Sequence, residues 1–395
     1  MIDTKVIKNL VNNEEIIILN DEQLKRYISR KIVEYISDNN VQLDIDEIKE
    51  YSEKIFNEIR GLGIIEEFLK EDDINEIMIN SYNEIFIERK GIIEESRLIF
   101  EDNDEYNRII QKIVGDAGRE VNMSNPIADV MLYDGSRVNI VLPPISKDDP
   151  CVTIRRFSRE DITIKDLIDN NTINHEVAKF LKKLIIAKYN IVIGGGTSSG
   201  KTTFLNALSQ FIPENERVVT IEDTRELNLL NKKNLISMET RQGSSGNRGE
   251  INIKRLIKNS LRMRPDRIIV GEVRADETLD MLQAMNTGHD GALTTAHANS
   301  TLDMISRLET MVLRSGENIP LEAIKRMISS SIEILIQIRR IGEDKRRITE
   351  ISELYQDKNG DTKINKIYEY NYEKDQIVKI SELIHTRKME RIYEG

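Results

Sequence analysis

The sequence predicts an α/β protein whose main domain is a mostly parallel sheet with helices on both faces. Residues 171–340 alternate short β-branched runs with helical patterns, which is typical of such a sheet. One of these runs, residues 191–193, ends in three glycines and leads directly into a helical pattern. With 395 residues the chain is also too long for one ordinary core, so two or three domains are expected.

Changes in residue pattern predict four segments along the chain. Residues 1–60 are polar with helical spacing, which predicts a small helical module whose first helix is capped by Asp21. Residues 61–157 mix alternating apolar runs with one helical pattern and predict an α+β domain. The charged residues 158–170 are expected to form a linker, and residues 171–395 to form the main domain with its C-terminal strands and helices.

The individual elements follow from local periodicity and from turn residues. In the α+β domain, a helix is expected over residues 104–118, and strands at residues 74–80, 85–89, 130–132, 137–142 and 152–157. In the main domain, apolar runs predict strands at residues 191–193, 217–221, 235–239, 267–270, 293–296 and 332–337. Helices are expected over 302–312 and 320–329, between the last two of these strands, and a strand over 346–354 and a hairpin over 368–375 follow the last one.

The composition excludes several classes of protein. The net charge of −11, from 68 acidic and 57 basic residues, disfavours general nucleic-acid binding because such surfaces are basic. Cys151 is the one cysteine, so neither an internal disulfide nor a cysteine-cluster zinc site is expected. No apolar run approaches the roughly 18 residues of a membrane span, and the N-terminus lacks a signal-peptide pattern. A cytosolic location is expected, with any membrane role through a partner or the protein surface.

The segment after residue 193 has the pattern of a phosphate-binding loop, because Gly195, Gly200, Lys201 and Thr202 fit G-x-x-x-x-G-K-[ST]. Glycines let backbone N–H groups surround phosphates, and the helix beginning near Lys201 adds its positive end. Lys201 is expected to reach the β- and γ-phosphates, and the Thr202 hydroxyl to bind Mg²⁺. The nucleotide-binding residues are thus predicted to be Gly195, Gly196, Thr197, Ser198, Ser199, Gly200, Lys201, Thr202 and Thr203. The alternative is a glycine-rich turn that binds nothing, which the strand and helix on either side disfavour.

Two of the predicted strands end in carboxylates, Glu222 with Asp223 on one and Glu272 on the other. Because the carboxyl ends of parallel strands share one edge with the phosphate loop, these acids are expected to face the γ-phosphate. Acids that cap helix starts are the alternative interpretation. Many phosphate-loop enzymes have Asp where this chain has Glu272, which leaves two roles open: polarising a water, or organising Mg²⁺ through a water. Glu222 is a second candidate for contact with Mg²⁺ through a water.

Two of the four histidines, His289 and His297, bracket the predicted strand at residues 293–296. A neutral imidazole can sense a γ-phosphate and transmit its presence to neighbours. A zinc site is a disfavoured alternative, since only two histidines and one acid are near, and a pair of core histidines is another.

Arginines are further candidates, because guanidinium groups stabilise charge on a phosphoryl group when a neighbouring domain or subunit delivers them. The candidates are Arg137, Arg155 and Arg156 in the α+β domain and Arg241 after the predicted strand at residues 235–239. For any one of them the alternative is a surface salt bridge.

Taken together, these motifs resemble the type II/type IV secretion ATPase superfamily. The motifs occur in family order: the phosphate loop at residues 195–202, an Asp box at 221–226, a Walker-B-like strand at 268–272 and a His box at 287–297. Four stretches of the preceding domain resemble the Tad/Flp pilus-assembly branch, at residues 61–63, 76–80, 134–139 and 153–157. The resemblance covers about residues 60–355.

This resemblance implies a RecA-like ATPase domain behind an α+β, PAS-like N-terminal domain, assembled as a homohexamer that uses ATP and Mg²⁺. It implies catalytic roles for Glu222, Asp223, Glu272, His289, His297, Arg137, Arg155, Arg156 and Arg241, some arginines acting across subunits. The ring is expected at the inner face of the cytoplasmic membrane, on an integral membrane platform protein and acting on pilin indirectly. Neither zinc nor nucleic acid is expected as a partner.

Two departures from the family pattern bear on the branch. The loop after Arg241 reads Gln242-Gly243-Ser244-Ser245 where the Tad branch usually has prolines, which leaves the position of Arg241 open. The four-cysteine zinc module of many related ATPases cannot be present, which favours the Tad branch. A conjugation-type traffic ATPase, a nucleic-acid translocase and a nucleotide-gated scaffold that barely hydrolyses remain as alternatives.

Overall fold

The computed structural model of the chain describes residues 19–39, 41, 43–89, 91–156, 162–229, 232–241, 249–342 and 345–390. The chain divides into two compact units, Met1–Arg159 and Glu160–Gly395. In the part of the chain that is described, no helix is long and apolar enough to cross a lipid bilayer.

The described part of the first unit starts with a helical hairpin of α1 (Asp21–Asn39) and α2 (Ile45–Ile59). Its small core consists of fully buried aliphatic side chains that recur at helical spacing, namely Leu24, Ile28, Ile32 and Ile55. Asn20, rather than the predicted Asp21, caps α1: its Oδ1 accepts the N–H of Gln23 at 2.9 Å, and the Gln23 side chain accepts the N–H of Asn20. The amphipathic periodicity of α1 and α2 therefore results from the packing of these two helices against each other. Residues 1–18, which the predicted helical module also includes, lie outside the described part of the chain.

Beyond this hairpin, the described residues of the first unit form a six-stranded antiparallel sheet with two helices, which confirms the predicted α+β character. Its strands are β1 (Ile74–Ser81), β2 (Glu84–Arg89), β3 (Ile92–Glu95), β4 (Ile127–Met131), β5 (Arg137–Val141) and β6 (Cys151–Arg155), in the order β3-β2-β1-β6-β5-β4. Helices α3 (Ile65–Lys70) and α4 (Asn103–Asp116) supply buried residues to the core of this sheet. Alternating burial along β1 and β5 matches the alternating sequence pattern.

The second unit is built on a nine-stranded sheet, which confirms the predicted mostly parallel α/β fold. Its strands are β7 (Ile191–Gly195), β8 (Val218–Glu222), β9 (Leu235–Glu239), β10 (Arg267–Val273), β11 (Leu293–His297), β12 (Ile334–Ile341), β13 (Lys345–Gln356), β14 (Thr362–Asn371) and β15 (Gln376–Lys379). The order is β15-β14-β13-β12-β7-β11-β10-β8-β9. The strands from β12 to β9 pair in parallel, and β13, β14 and β15 add an antiparallel extension.

Helices cover both faces of this sheet. They are α5 (Ile164–Asp169), α6 (His175–Ile186), α7 (Lys201–Ser209), α8 (Ile253–Ser260), α9 (Glu277–Asn286), α10 (Thr301–Leu313), α11 (Leu321–Ser331) and α12 (Arg387–Glu390). Ile191 and Ile193 point into one core and Val192 into the other. Burial on both faces explains why the parallel strands appear in the sequence as continuous apolar runs without alternation.

The segment predicted to be a linker contains helix α5. Thr163 caps α5 through a reciprocal pair with Asp166, and Leu167 is buried in the core of the second unit. Residues 162–170 therefore belong structurally to the second unit, while residues 157–161 lie outside the described part of the chain.

Asp375, in the turn between β14 and β15, makes contacts whose contribution to stability is expected to depend on pH. Asp375 accepts hydrogen bonds from Arg347 Nε at 3.1 Å and from the Tyr370 hydroxyl, and it lies 3.3 Å from Lys345 Nζ. These hydrogen bonds, that of Arg347 foremost, hold the pKa of Asp375 well below its ordinary value. Because the folded-state pKa is lowered, the stabilisation is present above the unfolded-state pKa of about 4 and is lost as pH falls below it.

We expect Asp375→Asn to lower the Tm of the purified protein at pH 7, and the difference from wild type to shrink as pH falls from 5 to 3. Thermal unfolding followed by circular dichroism checks this expectation. Glu373→Gln, which removes a charge from the same turn, is the matched control and should leave the Tm unchanged. A Tm difference of the same size at pH 7 and pH 3 would contradict the assignment.

Candidate functional site

The order of the parallel strands places the predicted site residues at one edge of the sheet. β7, which carries the phosphate loop, lies between β12 and β11, and β11 separates it from β10. Because these strands are parallel, their carboxyl ends lie at the same edge. The phosphate loop, Glu222, Glu272 and His297 all lie at or just beyond these ends.

The phosphate loop has a backbone that only glycine fits at two positions. A Cβ on Gly195 would lie 2.4 Å from Ser199 Oγ and 2.8 Å from the carbonyl oxygen of Ile338. Gly200 has φ of +89°, in the left-handed region, at the residue before α7. The loop therefore turns tightly between the end of β7 and the first turn of α7, whose free N–H groups suit an anion.

Lys201, the first residue of α7, is buried against this loop. Its Nζ donates hydrogen bonds to the carbonyl oxygens of Gly195 at 3.2 Å and Gly196 at 3.0 Å. Burial lowers the pKa of Lys201, and the nearby Glu272 carboxylate opposes that shift. A cation that is held among carbonyls in a partly dehydrated place is suited to attract a polyphosphate.

Glu272, near the end of β10, is the centre of the charged cluster. Its Oε2 accepts a hydrogen bond from Arg274 Nε at 2.6 Å and also contacts Arg274 Nη2. Its Oε1 is buried and lies 3.1 Å from His297 Nε2, without a hydrogen bond of normal geometry to any residue that is described. One carboxylate oxygen is thus held by a guanidinium, and the other remains able to accept a proton or a water.

The two histidines of the predicted His box lie at opposite ends of β11. Burial lowers the pKa of His297, with the Glu272 carboxylate opposing, which favours the neutral imidazole at pH 7. His289 precedes β11 at the other edge of the sheet, where its Nδ1 lies 3.4 Å from Thr287 Oγ1. The structure therefore brings His297 to Glu272 and does not bring His289 there.

The two acids after β8 have different environments. Glu222 is buried, and its Oε1 accepts the N–H groups of Glu226 and Leu227, both at 2.9 Å. Asp223 is half exposed, and its Oδ2 lies 3.8 Å from Arg274 Nη1. Glu222 thus orders the chain that follows β8, whereas Asp223 is open to solvent beside Arg274.

The predicted arginines of the first unit differ in their contacts within that unit. Arg137 on β5 lies directly opposite Arg155 on β6, and Arg155 lies opposite Glu76 on β1. The Arg156 guanidinium instead donates to the backbone carbonyls of Leu69 at 2.8 Å and of Glu71, at the end of α3. A guanidinium used in this way stabilises a helix terminus, so the structure favours a structural role for Arg156 over the predicted catalytic one.

Arg241 contacts residues that follow it closely in the chain. Its backbone pairs with Ile251, and its Nε donates to the carbonyl oxygen of Gly249 at 2.8 Å. It follows β9, which three strands separate from β7 in the sheet order. At about 4.8 Å per strand this amounts to roughly 19 Å, so Arg241 is not brought to the phosphate loop of its own chain. The departures at residues 242–245 lie outside the described residues.

Two residues that sequence reasoning missed support Glu272. Arg274 contacts Glu272 and faces Asp223, and buried Glu277 accepts the N–H groups of Arg274 and Ala275. Glu277 thereby holds the turn that presents Arg274. The signal that could have found Arg274 is its position two residues after Glu272, close enough along the chain for its guanidinium to reach that carboxylate.

The residues at this edge fit Mg²⁺ bound together with a nucleotide. No three His, Cys, Asp or Glu side chains form a metal cage within the described ranges. Mg²⁺ keeps several waters and binds through one or two protein oxygens together with phosphates. Thr202, in the first turn of α7, and the buried acceptor Glu272 Oε1 are oxygens of the right kind.

Comparison with known proteins agrees with the geometry. Residues 58–392 match the family described as "Type II/IV secretion system protein". An uncharacterized protein of Methanocaldococcus jannaschii is 40% identical over 280 residues, which cover 69% of this chain and 38% of that protein. The type IV secretion system protein VirB11 of Bartonella quintana is 31% identical over 326 residues, which cover 73% of this chain and 90% of that protein.

A solved structure agrees at the level of fold. The Legionella pneumophila ATPase DotB aligns with a TM-score of 0.55 at 21% identity, over 75% of this chain and 80% of that one. The family match covers most of the sequence, including every predicted motif. The chain therefore belongs to the type II/IV secretion ATPase superfamily and is an ATPase that uses ATP with Mg²⁺.

Proposed function

We propose that this ATPase is a motor that converts ATP hydrolysis into mechanical work for pilus assembly or protein secretion of the Tad/Flp type. The observation that carries the proposal is the meeting of Lys201, Glu272, Arg274 and His297 at the phosphate-loop edge of the parallel sheet. A protein that only binds nucleotide does not need a buried carboxylate with a free oxygen beside its phosphate loop. Hydrolysis does need one, to orient and polarise the attacking water.

In this proposal the backbone N–H groups of residues 195–203 and Lys201 bind the phosphates. Thr202 is the residue that would hold Mg²⁺, which supplies charge neutralisation on the β- and γ-phosphates when bound. Arg274 fixes one oxygen of Glu272, and the free oxygen Oε1 accepts a hydrogen bond from the attacking water. Glu222 holds the chain after β8 through its two backbone hydrogen bonds, and Asp223 shares Arg274 with Glu272.

His297 is the proposed sensor of the nucleotide state. Its strand β11 lies between β7 and β10, so His297 stands between the phosphate loop and Glu272. In its neutral form, its imidazole can donate to one partner and accept from another. A change at the γ-phosphate can therefore be passed to the chain after β11 through one side chain.

We further propose that the chain acts as a homohexamer at the inner face of the cytoplasmic membrane. It would dock on an integral membrane platform protein and act on pilin indirectly. Arg137, Arg155 and Arg241 are the proposed contributors of positive charge to a nucleotide, and a neighbouring subunit would receive some of them. The distance of Arg241 from its own phosphate loop supports action across subunits, because Arg241 could then meet the loop of the next chain.

A conjugation-type traffic ATPase is the second candidate, and the similarity to VirB11, a type IV secretion system protein, favours it equally. A nucleic-acid translocase on the same fold is disfavoured by the net charge of −11. ATPase activity stimulated by DNA, with binding that weakens steeply as salt rises, would support the translocase.

We expect Lys201→Ala to lower kcat/KM for ATP by about 10² or more, because it removes a buried phosphate ligand. Glu272→Gln should lower kcat by about 10²–10⁴ while nucleotide still binds, because the amide cannot act as a base. Phosphate release measured on the purified assembled protein checks both, with exposed Lys182→Ala as control. Equal turnover in wild type and Glu272→Gln would favour a nucleotide-gated scaffold instead.

Two substitutions of Glu222 distinguish a structural role of this residue from a catalytic role. An amide oxygen can still accept the two N–H groups, so Glu222→Gln should keep the wild-type Tm. Glu222→Ala leaves those buried N–H groups without a partner and should cost about 1–3 kcal/mol of stability. If Glu222 only orders the loop, Glu222→Gln retains ATPase activity within a few-fold. A loss of about 10² in kcat with an unchanged Tm would instead assign Glu222 a direct part in catalysis.

A further inference from the structure

The hairpin of β12 and β13 extends beyond the carboxyl end of β7, from which the phosphate loop leaves. β12 pairs with β7 up to Ile338 opposite Gly195, and it then continues to Ile341. At about 3.3 Å per residue, this continuation reaches roughly 10 Å past the end of β7. β13 returns beside it from Lys345. The hairpin lies on one side of β7, and β11 and Glu272 lie on the other side.

Arg346, on β13, lies against the last glycine of the loop. A Cβ built on Gly200 would be 3.0 Å from Arg346 Cδ and 3.4 Å from Arg346 Nε. The same point is 3.8 Å from Ile338 Cδ1. The aliphatic part of the Arg346 side chain thus lies against Gly200, the residue before Lys201. The exposed guanidinium lies beside the phosphate loop.

The hairpin of β12 and β13 brings several arginines close together. Arg340 lies directly opposite Arg346, and Arg339 opposite Arg347, and like charges placed directly opposite are destabilising. Arg347 pairs with Asp375, and Arg339 donates to the carbonyl oxygen of Asn299. The Arg346 guanidinium makes no hydrogen bond or ion pair with a described residue. An anion bound at the loop would give this guanidinium a partner.

We propose that Arg346 is a nucleotide-binding residue that contacts the phosphate chain from the hairpin side. The inference rests on the proposed function, since the loop must bind a nucleotide. Glu272 and His297 approach from the β11 side, where the γ-phosphate must lie for hydrolysis. Arg346 approaches from the other side, so its partners are the α- and β-phosphates, which ATP and ADP share. It therefore supports binding of both nucleotides and takes no part in the hydrolytic step.

The alternative is that Arg346 only packs its stem on Gly200. Arg346→Met separates the two roles, because methionine keeps an unbranched apolar stem and removes the guanidinium. Lys345→Met is the matched control: it removes a positive charge from the neighbouring position, where the lysine lies 3.3 Å from Asp375 Oδ2.

The test measures Kd for ADP and for the non-hydrolysable analogue AMP-PNP on the purified full chain by isothermal titration calorimetry. Arg346→Met should raise both Kd values by the same factor, about tenfold, as expected for one charged hydrogen bond to phosphate. At saturating ATP, kcat should change by less than about twofold. Lys345→Met should leave both Kd values within about twofold of wild type. Arg346→Lys, which keeps the charge and the fold, should give an increase of about threefold.

Unchanged Kd values for both nucleotides in Arg346→Met would overturn the inference and leave the proposed function intact. An increase for AMP-PNP alone would also overturn it, because the contact would then be to the γ-phosphate. Should wild type bind neither nucleotide while Tm shows it folded, the proposed function itself would fail, and this inference with it.

Discussion

The pairing of β7 with strands on both sides is the constraint on which the rest of the second unit depends. β12 and β11 bond to β7 along its length, and apolar side chains from both faces bury it. A strand held in this way fixes the position and direction of its carboxyl end. The phosphate loop leaves from that end, so its glycines can adopt a single tight path between Ile338 and the start of α7.

The charges at this edge are arranged before any nucleotide arrives. Lys201 is held by carbonyl oxygens of its own loop, and Glu272 is held by Arg274, whose turn is held by Glu277. Groups that are already in place need little reorganisation when phosphate charge develops, and low hydration strengthens their interactions. The same arrangement keeps opposite charges paired in the free protein, which limits the cost of burying them.

Local pattern was sufficient for most of the secondary structure. The six parallel strands of the second unit lie where apolar runs predicted them. For the five strands other than β9, burial on both faces selects such residues, whereas β9 at the edge of the sheet is half-buried. The structure differs from the prediction where the end of a helix or strand depends on a contact with another segment. β12 runs four residues beyond the predicted 337 because β13 pairs with it, and α5 forms within the predicted linker because Leu167 finds a core. Asn20 caps α1 instead of Asp21 because Asn20 and Gln23 each accept the backbone N–H of the other through their side chains.

The sequence by itself determined the phosphate loop, the helix that follows it, the strand-end carboxylates and the parallel α/β class, since each depends on residues close together in the chain. Only the tertiary structure decided that β11 lies between β7 and β10, which puts His297 beside Glu272 and His289 at the opposite edge. Likewise, only the fold shows that Arg156 closes a helix, that Arg274 holds Glu272 and that Arg346 lies on Gly200. The physical reason is that strand order and side-chain contacts across the sheet result from packing between distant segments, which no local periodicity encodes.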